Sequence, residues 1–453
     1  MTQPLVNKGV ELSHFAHPKS LILLAPQQGL KVGREYGIIH LSNRRGLIMF
    51  EDGFAKRAAI GRRHEGGQAE PRESFACPYC RVVSDLGEMM SVSVSPMLLG
   101  DSVLGMNEAR RFLARHFTKE GMAIDAAGGV CTAWACPHCH MALPRSLLTA
   151  EQVVLSVVGA TGAGKSVFLA SSMWACRKVL SREFKMSFTD LDPITNRWLN
   201  ASEEKLFFQA DGTVLEQIEK TDLVSPTVCR SVNINGSSVL LPLPSFFSVR
   251  ARGEEKSSAL VIYDSAGEHF RAGGDTAASA VTLNMVAADM LYFMFDPSAD
   301  VRLGAMLEKG AGSAANFAQR QDVILAEMAA RIRRHIGNRG EGRMKRPLIF
   351  GVSKADLLRR YLPLEGEVYR EGALDLGVVK KVSKATENFL MDVAPEMVAA
   401  AHDLTEDVWF LPVSALGHNP MKEGVRPCDI HPVWPELPIV LTLAYKGLIP
   451  TVE

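Results

Sequence analysis

The stretch VVLSVVGATGAGKSVFLASSMWACRKVL, residues 153–180, constrains the fold more than any other part of the chain. An apolar run of strand length (153–158) ends in a glycine-rich loop and passes directly into a helical pattern, which requires a buried strand with the loop at its carboxyl end. Gly159, Gly162 and Gly164 let the backbone wrap so that its N–H groups face a phosphate, and the helix that follows adds its positive N-terminus. Ala160, Thr161, Ala163 and Val167 complete the loop and its exit; Lys165 is placed to reach β- and γ-phosphates, and the Ser166 hydroxyl to bind Mg²⁺. The plain alternative, a glycine-rich turn with an incidental lysine, does not explain the strand before it and the helix after it.

Four further runs of strand length follow, at 259–264, 290–296, 347–353 and 408–414. Helical patterns at 166–180, 315–337, 386–401 and 437–448 separate or follow them, and this alternation predicts an α/β domain with a mostly parallel sheet and flanking helices. Three of the strand ends carry chemistry. ALVIYDSAGE ends in Asp264, an acid placed to hold Mg²⁺, with Gly267 placed to sense a γ-phosphate. GVSKADLL offers Ser353, Lys354 and Asp356: the lysine stem can lie over a base while the carboxylate accepts from N1 and N2 of guanine, a donor pair that adenine lacks. LPVSAL brings Ser414, Ala415 and Leu416, a turn whose N–H groups point toward the guanine O6. The order favours GTP and GDP over ATP.

Eight cysteines are present, and five lie between Cys77 and Cys139. CPYC (Cys77, Cys80) and CPHC (Cys136, Cys139) are two knuckles, each placing two thiolates on one turn, so together they predict a closed, structural Zn²⁺ cage. His138, His140 and Cys131 are near enough in sequence to replace one ligand. A helix-like insert, MNEARRFLARHFTKEG (106–121), accounts for the long spacing between the knuckles.

The ordered set of phosphate loop, D-x-AGE, S-K-x-D and S-A-L resembles the Ras-like and translation-factor class of P-loop GTPases over about residues 150–450. Within that class, DSAGE and SKAD with CPHCHMALP upstream are similar to the double-GTPase families of bacterial conflict systems. That resemblance implies a regulatory GTPase encoded beside a second GTPase or effector protein. Three positions depart from the class pattern. Glu268 stands where Ras-like proteins carry a water-orienting glutamine, with His269 beside it, and either could orient the attacking water. Thr161 replaces a glycine, and Ser353 replaces an asparagine. No arginine is marked by motif as an internal finger, so hydrolysis by the chain alone is expected to be slow. Lys165 and Asp264 are far apart in sequence, and the segment FTDLDPITNRWLN (188–200) is the expected first switch, with Thr189, Thr195, Thr213 and Thr227 competing for the Mg²⁺ role.

Three parts are expected: a β-rich segment over 1–70, a zinc-ribbon-like module over 71–148, and the GTPase domain over 149–453. Lysine plus arginine equals aspartate plus glutamate at 50 each, so no global field draws in nucleic acid, and the lack of basic–aromatic interleaving argues against it further. No apolar run approaches the ~20 residues of a membrane helix, and the clustered cysteines suit a cytoplasmic protein. Arg271, Arg302 and the RIRRH run (331–335) offer phosphate or partner contacts but read first as solvated helix faces. The competing functions are a P-loop ATPase and a nucleotide-binding scaffold without turnover.

Overall fold

In the computed structural model the described residues are 74–208, 229–265, 270, 279–308, 320–336, 343–418 and 429–453. They belong to one compact unit, Phe50–Glu453. The β-rich segment expected over 1–70 lies outside them.

Seven strands form the central sheet: β1 (Glu151–Gly159), β2 (Met186–Asp190), β3 (Ser245–Ala251), β4 (Ser258–Ser265), β5 (Met290–Phe295), β6 (Leu348–Val352) and β7 (Val408–Pro412). They lie side by side in the order β2-β3-β4-β1-β5-β6-β7. The five strands expected from the apolar runs, β4-β1-β5-β6-β7, are all parallel. β3 runs antiparallel to β4, and the edge strand β2 antiparallel to β3, so the sheet is mixed at one side. Those two strands were not expected. β2 is five residues long and two of its side chains face solvent, which leaves little apolar signal.

β5 and β6 are buried along their whole length, as parallel strands covered on both faces must be. Besides a short helical turn at Arg145–Thr149, the helices are α1 (Lys165–Arg182), α2 (Arg197–Phe207), α3 (Ala280–Ala287), α4 (Val301–Glu308), α5 (Gln321–Ile336), α6 (Leu376–Val393), α7 (Pro395–Leu404) and α8 (Leu437–Tyr445). On one face Leu155, Val157, Tyr292 and Ile349 meet α1, α2 and α8; on the other Val158, Phe293, Phe350 and Phe410 meet α3, α5 and α7. Phe350 has its ring centroid 5.6 Å from Phe293 and 5.3 Å from Phe410. Truncating such a residue to alanine costs about 3–5 kcal/mol. The helical pattern over 386–401 is two helices, because Pro395 takes the first position of α7 and Ala394 breaks out of helical geometry at φ −145°.

The cysteine knuckles pack onto the second face. Phe75, Tyr79, Met141 and Leu143 join the same apolar cluster as Val154, Phe246 and Tyr263 of the sheet. The insert between the knuckles is β structure, not the helix expected over 106–121. Leu99–Asp101 pairs with Gly105–Ala109, and Arg111–Phe112 pairs with Met90–Val92. The apolar residues that mimicked a helical stripe, Met106, Leu113 and Phe117, are exposed and build no helix core. Non-local pairing wins instead, and the returning loop is knotted around Asp125, whose carboxylate accepts from the Ser93 hydroxyl and from the N–H groups of Val94, Ser95, Ala127 and Gly129. No helix among the described residues is long and apolar enough to cross a membrane.

Candidate nucleotide site and cysteine cage

The strand registers bring the expected site residues to one edge. Val157 lies opposite Asp264, Gly159 opposite Met294, Phe295 opposite Val352, and Val352 opposite Pro412. The carboxyl ends of β4, β1, β5, β6 and β7 are therefore level, and the loops beyond them share one rim, where open α/β sheets bind ligands.

At the centre of that rim the 159–164 loop leaves β1. Gly159 abuts β5 so closely that a Cβ there would lie 2.7 Å from the Met294 carbonyl oxygen. Gly162 and Gly164 take left-handed backbone angles of φ 83° and 88°, and α1 begins directly at Lys165. Lys165 Nζ donates to the carbonyls of Gly159 (2.8 Å) and Ala160 (3.0 Å), folding its ammonium back over the loop it would share with a phosphate. Thr161 is exposed at the tip, while Ser166 and Val167 are half-buried in the first turn of α1.

Asp264 lies beside this loop. Both of its carboxylate oxygens are shut off from solvent and have no hydrogen-bond partner among the described residues. Burial pushes its pKa up, and the nearby Lys165 ammonium opposes that shift. Cys229, at the start of the hairpin Cys229–Ile234 and Ser237–Pro242, has its thiol pushed up to about 11 by burial and by Asp264. A buried carboxylate without donors is costly unless a cation meets it, and a hard oxygen donor next to a phosphate loop suits Mg²⁺.

The base-side residues form a second constellation. The Ser414 hydroxyl donates to Asp356 Oδ1 (2.5 Å) and accepts from the Gly417 N–H (2.9 Å), so the turn after β7 braces the carboxylate after β6. Ala415 accepts from Ser171 of α1, and Leu416 accepts from the His431 N–H. The Ser353 hydroxyl donates to the Phe295 carbonyl at the end of β5 (3.0 Å). Lys354 takes a left-handed conformation (φ 51°) and its ammonium reaches Asp296 Oδ2 at 2.6 Å. Gly267, Glu268 and His269 lie outside the described residues, as do Arg271, Thr213 and Thr227. Of the remaining threonines, Thr195 donates to Asp192 (2.5 Å) and Thr189 sits in β2, on the sheet edge.

The four knuckle cysteines converge. Their sulfurs all lie within 4.8 Å of one another, with Cys77–Cys139 and Cys80–Cys136 each at 3.7 Å. A tetrahedron with metal–sulfur bonds of about 2.3 Å has edges of about 3.8 Å, so the spacing fits a Zn²⁺ site. Burial pushes the Cys77 thiol well up, and a cation's charge would reverse that. Two of the three substitute ligands have other work. His140 Nδ1 pairs with Asp101 at 2.9 Å, and the Cys131 thiol faces the Gly129 carbonyl.

Several contacts had no local signature in sequence. The Tyr263 hydroxyl donates to the Pro78 carbonyl inside the first knuckle, and Arg81 lies over the Tyr263 ring while its Nε donates to Asn284 of α3 (3.0 Å). The cage is thereby fastened to the residue next to Asp264. Arg331 corrects the reading of 331–335 as a solvated face: it is fully buried, paired with Glu327 at 2.8 Å and stacked on Phe270.

No protein-family model matches the sequence, and no curated protein does. Among solved structures the chain is similar to sup35 complexed with GDP (15% identity, TM-score 0.22, covering 64% of this chain and 43% of that one). It is also similar to a variant of Aquifex aeolicus Era bound to GDP and AlF4⁻ (12%, 0.23, 67% and 58%). A third is the S. cerevisiae Ski7 GTPase-like domain bound to GTP (14%, 0.25, 67% and 51%). The chain spans about half the length of these structures.

Proposed function

We propose that the chain is a P-loop GTPase that binds GTP and GDP with Mg²⁺ and hydrolyses GTP slowly, using the γ-phosphate to control a partner. The observation that carries the reading is Asp264, a buried carboxylate without partners among the described residues, level with a loop whose lysine caps its own carbonyls. Lys165 would exchange those carbonyls for phosphate oxygens, and the 159–166 N–H groups would cradle the phosphates. Ser166 and Asp264 would hold Mg²⁺, which when bound neutralises charge between the phosphates. Asp356, held by Ser414, supports guanine over adenine because it presents an acceptor where guanine offers donors. Glu268 or His269 would orient the attacking water. The cysteine cage is structural, since four thiolates leave no position for substrate. The sequence resemblance supports a second GTPase, in a bacterial conflict system, as the partner that completes the site.

The test is displacement of a fluorescent GDP analogue by unlabelled nucleotides in Mg²⁺, followed by phosphate release from GTP by the chain alone. GTP and GDP should displace at far lower concentration than ATP, with turnover far below the order of 1 s⁻¹ of a complete site. Equal displacement by ATP would favour the ATPase reading, and binding without any phosphate release would favour the scaffold.

A further inference from the structure

We propose that Asp296 is a positioning residue that sets guanine specificity by holding Lys354 in place before any nucleotide arrives; the inference rests on the guanine-nucleotide reading above. Asp296 follows β5 directly and belongs to none of the sequence motifs. It is 3% exposed, and both carboxylate oxygens are engaged: Oδ2 accepts from Lys354 Nζ (2.6 Å), and Oδ1 accepts from the Ser298 N–H (2.9 Å) and hydroxyl (2.6 Å). Lys354 Nζ also donates to Ser298 Oγ (3.1 Å), which closes a triangle of three side chains. The backbone of Asp296 is gripped from α5, where Gln321 Oε1 accepts from its N–H (2.7 Å) and Gln321 Nε2 donates to its carbonyl (2.8 Å).

Fold stability alone does not require this arrangement, because an ion pair with a partly exposed lysine is screened by solvent and contributes little. What the arrangement supplies is geometry. A lysine stem has wide rotamer freedom, and ordering it on binding would be subtracted from affinity. Here the ammonium is already fixed and the stem is the part left to face a base. Asp296 touches neither phosphate nor base in this scheme; it acts through Lys354. Its removal should free a lysine side chain that is 39% exposed and blur the floor of the base pocket, while leaving Lys165 free to meet a phosphate.

The test measures GDP and ADP dissociation constants for the full chain as wild type, Asp296→Asn, Lys354→Met and the double variant, with thermal melting as a control. Asp296→Asn should weaken GDP about tenfold, mainly through faster release, and weaken ADP less, so that the GDP-to-ADP preference falls. The double variant should bind GDP no worse than Lys354→Met. Ser298→Ala removes a corner of the triangle without changing charge and serves if Asp296→Asn does not fold; it should lower the same preference about threefold, again without adding to Lys354→Met. Equal losses for GDP and ADP, or losses that multiply in the double variants, would overturn the proposal. A wild type that binds GDP tightly, with both the Asp296 and Ser298 variants unchanged, sinks this inference alone. A wild type that binds no guanine nucleotide sinks it together with the function it rests on.

Discussion

The cysteine cage and the nucleotide rim are both built from turns, yet they differ in how complete they are without a ligand. In the cage all four sulfurs are within one metal's reach of one another, and the neighbouring His140 is held by Asp101. On the rim the equivalent groups are provisional: Lys165 caps its own loop, and Asp264 is buried without a donor among the described residues. A site that is finished in advance serves folding, whereas one that stores an unsatisfied charge serves binding. Arg81 and Tyr263 join the two, since the first knuckle holds the strand that carries Asp264.

The largest effect is expected from breaking the cage. Because the knuckles share an apolar cluster with the sheet, Cys136→Ser or chelation should cost the whole unit several kcal/mol of stability and lower its melting temperature, and metal analysis should return about one zinc per chain. An unchanged melting curve after the metal is stripped would show that the cage is decorative. Next comes Asp356→Asn. Leaving guanine donors unpaired should cost a few kcal/mol of GTP affinity while ADP binding stays where it was, measured by competition.

Asp264→Asn should act in opposite directions on the two properties. It removes a buried charge that no hydrogen bond satisfies among the described residues, so the nucleotide-free protein should melt higher, while Mg²⁺-dependent nucleotide binding is lost. The sign with pH follows: a carboxyl whose folded pKa is raised loses stability as pH climbs from the ordinary aspartate range through that higher value. Wild-type stability without nucleotide should therefore fall over that window more than that of Asp264→Asn, and parallel profiles would contradict it. The smallest effect is Ser414→Ala. Loss of one hydrogen bond to Asp356 should cost about 1 kcal/mol of guanine-nucleotide affinity, read as a faster GDP release.

The same contrast explains what could be read from sequence. The five parallel strands are legible because each is a continuous apolar run, and their ends carry Gly159, Asp264, Lys354, Asp356 and Ser414, which the parallel registers then align. Two Cys-x-x-Cys knuckles are legible for the same reason: the chemistry is local. The insert at 106–121 misleads because its apolar side chains lie on the surface, so their spacing reports no packing face. Asp296 with Gln321, and Arg81 with Tyr263, are pairings across long stretches of chain, formed only once the sheet and its helices are stacked, and nothing in their neighbours marks them.

The central claim is that the loop around Lys165 holds a guanine nucleotide through Mg²⁺. The most direct measurement is the equilibrium affinity of the full chain for GDP in Mg²⁺, wild type against Lys165→Ala, with melting curves to confirm that both are folded. Saturable binding by the wild type and none by the variant is the expected result. A folded Lys165→Ala protein that binds GDP as tightly as the wild type would contradict it.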